Sequence, residues 1–276
     1  TTEAVGQVLC HDITQIIPGV TKDAVFRKGH IIREEDIPVL LSVGKDSVYI
    51  WENDETMMHE NDAAEVLYRM TANEHMHPSD VKEGKIEAIA DTEGLLKVDR
   101  EKLKKVNAFG EMMIATRHGN TVVKKGDKLA GTRIIPLVIK KDKMQEAEKI
   151  CDGTPILKIL PFTVKKAAII TTGNEVYHGR IKDAFTPVIE QKIAEFGAEM
   201  MFHEIFDDND RKITDGCLRA IEAGADIVFC TGGMSVDPDD KTPLAIKNTG
   251  AEMISYGSPV LPGAMFLLSY YRKGDK

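Results

Sequence analysis

The sequence predicts an α/β protein whose C-terminal half is a three-layer α/β/α domain with a mostly parallel sheet, preceded by a β-rich domain that carries an inserted helix. From about residue 165, short apolar runs alternate with segments of helical periodicity, which is typical of parallel strands joined by helices. The first 160 or so residues lack this alternation and contain short β runs separated by turn signals. We therefore predict two domains, residues 1–160 and 161–276, with Pro155 and Pro161 near the boundary.

The N-terminal domain is predicted from β runs, one inserted helix and a second helix that leads to the boundary. Turns are placed where Gly stands beside Asn or Asp, because these residues favour tight reversals between strands. In chain order the elements are strands in AVGQVLCHDITQI (4–16) and SVYIWE (47–52), a helix over 54–70, short β runs over 84–140 with hairpin-type turns at HGN (118–120) and KKGDK (124–128), and the helix KDKMQEAEKICDG (141–153).

The C-terminal domain is predicted from four strands and three helices. Apolar residues of the longer helical segments recur at close to the 3.6-residue helical period, and Gly197 and Gly224 follow as helix stops. The strands are KKAAIITTG (165–173), EMMFHEIF (199–206), DIVFC (226–230) and AEMISYG (251–257), and the helices are KDAFTPVIEQKIAEFGAE (182–199), NDRKITDGCLRAIEAGAD (209–226) and KTPLAIKNTG (241–250).

Composition excludes several classes of protein. The 276 residues have a net charge of −8, which argues against nonspecific nucleic-acid binding because phosphate backbones need basic surface. No apolar run approaches the roughly 20 residues that span a bilayer, and the N-terminus lacks the pattern of a signal peptide. Cys10, Cys151, Cys217 and Cys230 are not spaced as zinc ligands. We therefore expect free thiols and a cytoplasmic protein with neither membrane nor nucleic-acid partners.

Two glycine turns follow predicted strands at the place where doubly wound sheets bind their ligands, beyond the carboxyl ends of the strands. They are TTGNEV (171–176) and CTGGMS (230–235). Glycines let backbone N–H groups approach an anion, and hydroxyl side chains add donors. A plain tight turn is the alternative. The candidate anion-binding residues are Thr172, Gly173, Thr231, Gly232, Gly233 and Ser235.

Six acidic residues also lie near predicted strand ends. Carboxylates around an anion site repel one another and the anion, unless Mg²⁺ bridges them to phosphate oxygens. Helix capping is the alternative for the pair at 207–208 and for the pair at 239–240. The six are Glu175, Asp207, Asp208, Asp237, Asp239 and Asp240.

The order of these motifs resembles that of the molybdopterin-binding domain family. That family includes molybdopterin molybdotransferases, molybdopterin adenylyltransferases and the related domain of competence-damage-inducible proteins. The resemblance runs from TTGNEV to DDNDRKITDGCLRAIEAGADIVFCTGGMSVDPDDKT and covers roughly residues 165–263. It implies a three-layer α/β domain that binds the pterin cofactor molybdopterin, with Mg²⁺ and a nucleotide as further ligands.

The resemblance also implies roles for individual residues. Three positions match acids that line the family's pterin and metal site: Glu175, Asp207 or Asp208, and Asp240. We expect Glu175, Asp208 and Asp240 to be catalytic, and Asp208 and Asp240 would hold Mg²⁺. The glycine-turn residues named above would line the cofactor. Pro262 and Gly263 match a Lys-Pro-Gly loop whose lysine position here is Leu261. The family's Asn before the first helix is absent from DAFTP, and its second Leu-Pro-Gly-Asn-Pro loop is not reached by residue 276, so a truncated chain or an incomplete site is expected.

The leading functional prediction is a molybdopterin-binding protein of molybdenum cofactor biosynthesis, with a small-molecule pterin as its partner. If it is a transferase, it would carry out Mg²⁺-dependent adenylyl transfer or molybdate insertion, with ATP or AMP and molybdate as further ligands. Three alternatives stay open: a non-catalytic carrier or sensor of the cofactor, a metal-dependent nucleotide pyrophosphatase of the competence-damage type, and a domain whose Gly and Asp turns are structural. Dimers are common in the family, so the resemblance also allows a homo-oligomer.

Overall fold

The computed structural model describes residues 1–17, 19–50, 54–235 and 237–273. It divides into two compact units, Thr1–Pro161 (unit 1) and Phe162–Lys276 (unit 2). The sequence places the corresponding boundary at residue 160. Trp51 and Glu52, the last two residues of the predicted strand SVYIWE, lie outside the described residues.

Unit 1 is β-rich, as predicted, but it contains more helix than the sequence indicates. Its strands are β1 Ile13–Ile17, β2 Thr21–Phe26, β3 Met57–His59, β4 Met76–Pro78, β5 Lys85–Ala90, β6 Gly94–Val98, β7 Met112–Thr116, β8 Thr121–Val123, β9 Lys128–Ile134, β10 Val138–Lys140 and β11 Leu157–Pro161. Its α-helices are α1 Ile37–Ser42, α2 Glu60–Thr71, α3 Arg100–Ala108 and α4 Lys141–Cys151. Single 3₁₀ turns lie at Thr2–Ala4 and Glu34–Asp36.

The predicted inserted helix forms as α2, but α1 and α3 were not predicted from the sequence. The Asp99 side chain caps α3 by accepting a hydrogen bond from the Lys102 N–H at 3.0 Å, and Val106 is fully buried beneath it. The helix predicted over 54–70 starts only at Glu60, because the His59 ring accepts from the Asn61 N–H at 3.2 Å and caps it there. The residues before it pair as β3.

The two predicted hairpin turns of unit 1 join strands that belong to different sheets. One sheet has the order β4-β5-β9-β7 and the other β11-β6-β8, both antiparallel. HGN and KKGDK therefore connect β7 to β8 and β8 to β9 without pairing those strands. Pairing β8 with β6 instead places Val123 and Leu96, both fully buried, in the main core of the unit.

The predicted strand over residues 4–16 forms only at its end, as β1. Val8 and Leu9 make isolated bridges instead, and Gly6 adopts a φ of +84°, outside the extended region. SVYIWE contributes an isolated bridge at Ile50 within the described residues. A small second core packs this region around Leu9, Ile32 and Leu40.

Unit 2 contains the parallel sheet. Its strands are β12 Lys166–Thr172, β13 Glu199–Phe206, β14 Ile227–Thr231, β15 Glu252–Tyr256 and β16 Leu267–Tyr270, and its helices are α5 Asn174–Tyr177, α6 Phe185–Ala194, α7 Asp210–Glu222 and α8 Thr242–Asn248. Three strands pair in the order β13-β12-β14, all parallel.

Helices cover both faces of this sheet, which confirms the predicted three-layer α/β arrangement. The central strand β12 is buried on both faces along most of its length. On one face Thr171 contacts Thr186 of α6, with their hydroxyl oxygens 3.1 Å apart. On the other face Ile170 packs with Ile213 of α7 and Ala245 of α8.

The fourth predicted strand, AEMISYG, does not extend the parallel sheet. It forms β15, which pairs antiparallel with β16 in a hairpin of its own. The hairpin is closed by backbone bonds from the Gly257 N–H to the Phe266 carbonyl and from the Ser258 N–H to the Ala264 carbonyl, both 2.8 Å. β16 supplies hydrogen-bond partners for one edge of β15, and the residues of β15 are exposed.

No helix among the described residues combines the length and apolar character needed to cross a bilayer.

Candidate functional site

The three parallel strands end together at one edge of the sheet, as the sequence predicts for parallel topology. Thr172 of β12 is in register with Phe206 of β13, and Thr171 with Thr231 of β14. The Gly173 N–H donates to the Phe206 carbonyl at 3.2 Å. The loops after the three strands therefore meet in one place, which we call the strand-end site.

The Gly-Gly loop after β14 approaches β12 so closely that neither glycine leaves room for a side chain. Gly232 and Gly233 have φ values of +86° and +55°. A Cβ on Gly232 would lie 2.9 Å from the Thr172 hydroxyl oxygen and still closer to the Thr172 carbonyl. A Cβ on Gly233 would lie 2.8 Å from the Thr242 hydroxyl oxygen. Close approach and left-handed backbone together therefore require glycine at both positions.

Thr172 holds this loop in place. Its hydroxyl donates to the Thr231 carbonyl at 3.1 Å and lies 3.0 Å from the Thr242 hydroxyl. The Thr242 N–H in turn donates to the Gly233 carbonyl at 3.1 Å. Thr172, predicted as a ligand-binding residue, is thus placed to connect β12, β14 and α8 beneath the loop.

Two polar atoms at the strand-end site are buried without a hydrogen-bond partner. They are the Thr231 hydroxyl oxygen and Oδ1 of Asp207, whose other oxygen accepts from the Lys212 ammonium at 2.8 Å. A buried polar group without a partner costs free energy, and such groups in native structures mark unseen water or ligand. An anion would satisfy the Thr231 hydroxyl, and a cation or a ligand N–H or O–H would satisfy Asp207.

The acidic side chains of the loops act on one another electrostatically. Burial raises the pKa of Asp208, a hydrogen bond from the Asn174 N–H at 3.0 Å lowers it, and the charges of Glu175, Asp239 and Asp240 raise it further, so that the net pKa lies above its ordinary value. Negative charge is therefore concentrated around Asp208. A divalent cation would relieve this repulsion.

Helix capping does not explain these acids. Asn209 caps α7, its side-chain oxygen accepting from the Arg211 and Lys212 N–H groups at 3.1 Å each. The residue before α8, Lys241, makes no side-chain cap. The capping alternative for residues 207–208 and 239–240 was therefore wrong. A local turn does use Asp240, whose Oδ2 accepts from the Asp237 N–H at 3.0 Å.

The described carboxylates near Asp208 do not form a complete set of metal ligands. Among the described residues, no group of three or more His, Cys, Asp and Glu side chains is placed to hold a metal ion by itself. Mg²⁺ in phosphate sites takes one or two carboxylates and completes its shell with phosphate oxygens and water. Asp208 and Asp240 are the two carboxylates that the resemblance offers for such a partial set.

Pro262 and Gly263 lie in the loop of the β15–β16 hairpin, between Tyr256 and Leu267. The hairpin reaches the Gly-Gly loop through Tyr256, whose hydroxyl donates to the Met234 carbonyl at 2.9 Å. Leu261, at the lysine position of the resemblance, is 87% exposed. Ser235, next to Met234, is exposed. Val236, which follows the turn CTGGMS in the segment that carries the resemblance, lies outside the described residues.

A second polar cluster near the strand ends was missed from the sequence. On the α6 face of β12, Asp183 accepts from the hydroxyls of Thr186 at 2.5 Å and Thr171 at 3.2 Å. The His203 ring lies 3.1 Å from the Thr186 hydroxyl. The sequence signal is the Asp three residues before Thr at the start of a helical pattern. His203 gives no such signal, because only the pairing of β13 with β12 brings it there.

The comparisons with known proteins find one family in unit 2 and another in unit 1. Residues 168–269 match the family described as "Probable molybdopterin binding domain", which confirms the predicted resemblance over that segment. Residues 1–52 match a family described as "Domain of unknown function (DUF8806)".

Two curated relatives and one solved structure each match about a third of this chain. It is 32% identical to a competence-damage inducible protein of Bacillus velezensis over 85 residues, 31% of this chain and 20% of that protein. It is 30% identical to one of Bacillus cereus over 107 residues, 39% and 25% of the two chains. This chain therefore spans a fifth to a quarter of the length of these relatives. The tungsten cofactor synthesizing protein MoaB from Pyrococcus furiosus is similar at 26% identity and a TM-score of 0.32, over 34% of this chain and 58% of that chain.

Proposed function

We propose, from the match of residues 168–269 to the molybdopterin-binding domain family, that unit 2 binds molybdopterin through its phosphate at the strand-end site. The single observation that supports this most is the Gly-Gly loop next to the unpartnered Thr231 hydroxyl. A loop without side chains lets backbone N–H groups point at an anion, and the hydroxyl adds a donor that has no use in the protein itself.

The residues divide into those that contact the ligand and those that support the contact. The N–H groups of residues 232–235 and the Thr231 hydroxyl would donate to the phosphate. Thr172 would fix the loop from below, since its hydroxyl is already bonded to the Thr231 carbonyl at 3.1 Å. Gly173 would let the first loop approach the same ligand. Pro262 and Gly263 would border the site through the contact of Tyr256 with Met234.

Asp208 and Asp240 would hold Mg²⁺ beside that phosphate, with Glu175 adding negative charge. The ion would neutralise charge that develops on a phosphoryl group. The chain itself would orient the phosphate, and a neighbouring cation would lower the pKa of Asp208, which burial and like charges raise in its absence. The chemistry proposed is adenylyl transfer to the bound pterin or molybdate insertion, and it needs no covalent nucleophile.

A second candidate is metal-dependent cleavage of a nucleotide diphosphate bond. The relatives at 30–32% identity are named competence-damage inducible proteins, and the same carboxylates and anion loop would serve a pyrophosphate substrate. A carrier or sensor that binds molybdopterin without turnover is the third form of the proposal.

Binding is tested by isothermal titration of the purified chain with molybdopterin, with and without Mg²⁺. We expect Thr231→Val to weaken binding about tenfold, as for one lost hydrogen bond of about 1.4 kcal/mol to a charged group. Asp240→Asn should remove the effect of Mg²⁺, and Asp215→Asn, an exposed acid on α7, is the matched control. Unchanged affinity in Thr231→Val would remove the Gly-Gly loop from the binding site.

Activity is tested on the same protein with molybdopterin plus ATP and Mg²⁺, and separately with ADP-ribose and Mg²⁺. An adenylylated pterin identifies a transferase, and release of AMP from ADP-ribose identifies a pyrophosphatase. Binding with neither product identifies a carrier. Absence of both binding and turnover would leave the Gly and Asp turns as structural features.

A further inference from the structure

Two cysteines of unit 2 lie in contact beneath the Gly-Gly loop. Cys217 on α7 and Cys230 at the end of β14 have their sulfur atoms 3.7 Å apart. The two cysteines of unit 1 differ, because the thiols of Cys10 and Cys151 each donate to a backbone carbonyl. Of the described cysteines, the pair in unit 2 is therefore the one whose thiols face each other.

We propose that Cys217 and Cys230 are a redox modification site, in which a peroxide joins the two thiols as a disulfide that ties α7 to the end of β14. The side chains already meet within one apolar cluster that includes Ile213 and Val228. A disulfide needs a sulfur separation of about 2.05 Å. The sulfurs must therefore approach by roughly 1.6 Å.

The environment divides the two thiols into an attacking and a resolving group. The hydrogen bond from Cys230 lowers the pKa of the Cys217 thiol, although burial opposes this. The same hydrogen bond, with burial, raises the pKa of Cys230. Cys217 is therefore the group that ionises first, and the thiolate is the nucleophile toward peroxide. Cys217 is buried and Cys230 is partly buried, so a small oxidant would have to reach Cys217 past Cys230.

The reaction balances in two steps. The Cys217 thiolate attacks one peroxide oxygen, the O–O bond breaks, and one water leaves after protonation, so that Cys217 becomes a sulfenic acid. The Cys230 thiol then attacks the Cys217 sulfur, the S–O bond breaks, and its oxygen leaves as a second water with the proton of Cys230. Two thiols and one hydrogen peroxide thus give one disulfide and two waters.

The disulfide would act on the strand-end site, and this part rests on the proposed function. Cys230 directly precedes Thr231, whose hydroxyl is the unpartnered donor, and α7 directly follows the loop that carries Asp208. Tying α7 to β14 restrains both loops together. We expect oxidation to change the affinity for the ligand by altering the position of Thr231.

The disulfide itself is tested on the full chain by treatment with hydrogen peroxide, alkylation of the remaining thiols and peptide mapping. We expect a 217–230 cross-linked peptide that has lost two hydrogen atoms and that returns to two thiols with dithiothreitol. Cys217→Ala and Cys230→Ala should each abolish the cross-link, and the double variant Cys10→Ser, Cys151→Ser should retain it. Full alkylation of both thiols after peroxide, or oxidation of Cys217 only to sulfinic acid, would overturn the proposal.

Hydrogen exchange separates this result from the proposed function, because it needs no ligand. We expect the amides of residues 231–242 to exchange several-fold more slowly in the oxidised protein than in the reduced one. Unchanged exchange would overturn the link between the thiols and the loop, even if the disulfide forms. A slower exchange together with absent molybdopterin binding would instead contradict the proposed function alone.

Discussion

At the scale of single residues, the strand-end site depends on glycines, whose lack of a side chain allows close approach, as much as on polar side chains. Gly232 and Gly250 have the same φ of +86°, but only Gly232 has neighbouring atoms within 4 Å of where its Cβ would be. The two positions therefore separate the cost of left-handed backbone from the cost of close approach.

We expect Gly232→Ala to destabilise the protein more than Gly250→Ala. Both variants lose roughly 1–2 kcal/mol through left-handed backbone in an L-residue, and Gly232→Ala loses roughly a further 1–3 kcal/mol because its methyl group overlaps Thr172. Urea denaturation at pH 7 measures the two free energies of unfolding. Equal losses would mean that the loop does not press against β12.

Asp208 is the residue whose protonation best reports the crowding of the acids. Its folded pKa lies above the ordinary value of 3.8 because burial and the neighbouring carboxylates oppose its charge. The folded state therefore binds the Asp208 proton more readily than the unfolded state does. The free energy of unfolding falls as the pH rises from 3.8 through the raised folded pKa.

We expect Asp208→Asn to be more stable than the parent at pH 7, with the difference shrinking as the pH falls through the raised folded pKa and gone below 3.8. The Asn oxygen can still accept from the Asn174 N–H, so the variant removes the charge and keeps the hydrogen bond. Unfolding by urea at pH 7 and pH 3.5, with and without Mg²⁺, measures this. A variant less stable at pH 7 would show that the carboxylate stabilises the fold.

At the scale of elements, α6 begins where Asp183 accepts from the backbone. Its Oδ1 accepts from the N–H groups of Phe185 and Thr186 at 2.8 and 3.1 Å. Burial acts to raise the pKa of Asp183, but hydrogen bonds from Thr186, Phe185 and Thr171 outweigh it and lower the pKa. The contribution of Asp183 is therefore present above its ordinary pKa of 3.8 and is lost as the pH falls through the lowered value.

We expect Asp183→Ala to lose about 1–2 kcal/mol of stability at pH 7, as for other lost helix caps, and much less at acid pH. Asp183→Asn keeps an acceptor without the charge and should lose less. Urea denaturation of the three proteins at pH 7 and pH 3 gives the comparison. A loss that is independent of pH would mean that the carboxylate charge is not part of the cap.

Elements whose burial pattern lies within one run of sequence were predicted well. β13 matches EMMFHEIF, and α4, α7 and α8 lie inside their predicted segments. Elements whose pairing depends on a distant strand were not predicted well. β8 pairs with β6 across the core and not with its neighbours in sequence, and β15 pairs with β16 and not with the sheet. Turn residues fix where a chain reverses, but not which strands then hydrogen-bond.

At the scale of the whole molecule, each hydrophobic core lies within one unit. The large core runs from Ala63 to Ile159, the small one from Ala4 to Leu40, and the third from Ile170 to Ala245. The strand-end site is also formed within unit 2.

We expect residues 162–276 expressed alone to keep the parallel sheet and to bind molybdopterin with an affinity close to that of the full chain. The reason is that every contact described for the site lies after residue 161. Circular dichroism and the titration used for the full chain measure this, and residues 1–161 are the control that should not bind. Loss of binding in folded 162–276 would show that unit 1 contributes to the site.

The sequence by itself determined the α/β class of unit 2, its glycine turns and the family resemblance, because apolar periodicity and Gly positions are local properties of the chain. Only the tertiary structure decided which side chains meet. It left the Thr231 hydroxyl without a partner and brought Cys217 to Cys230. These results depend on how separate elements pack, and they follow from strand register and helix packing that no local pattern records.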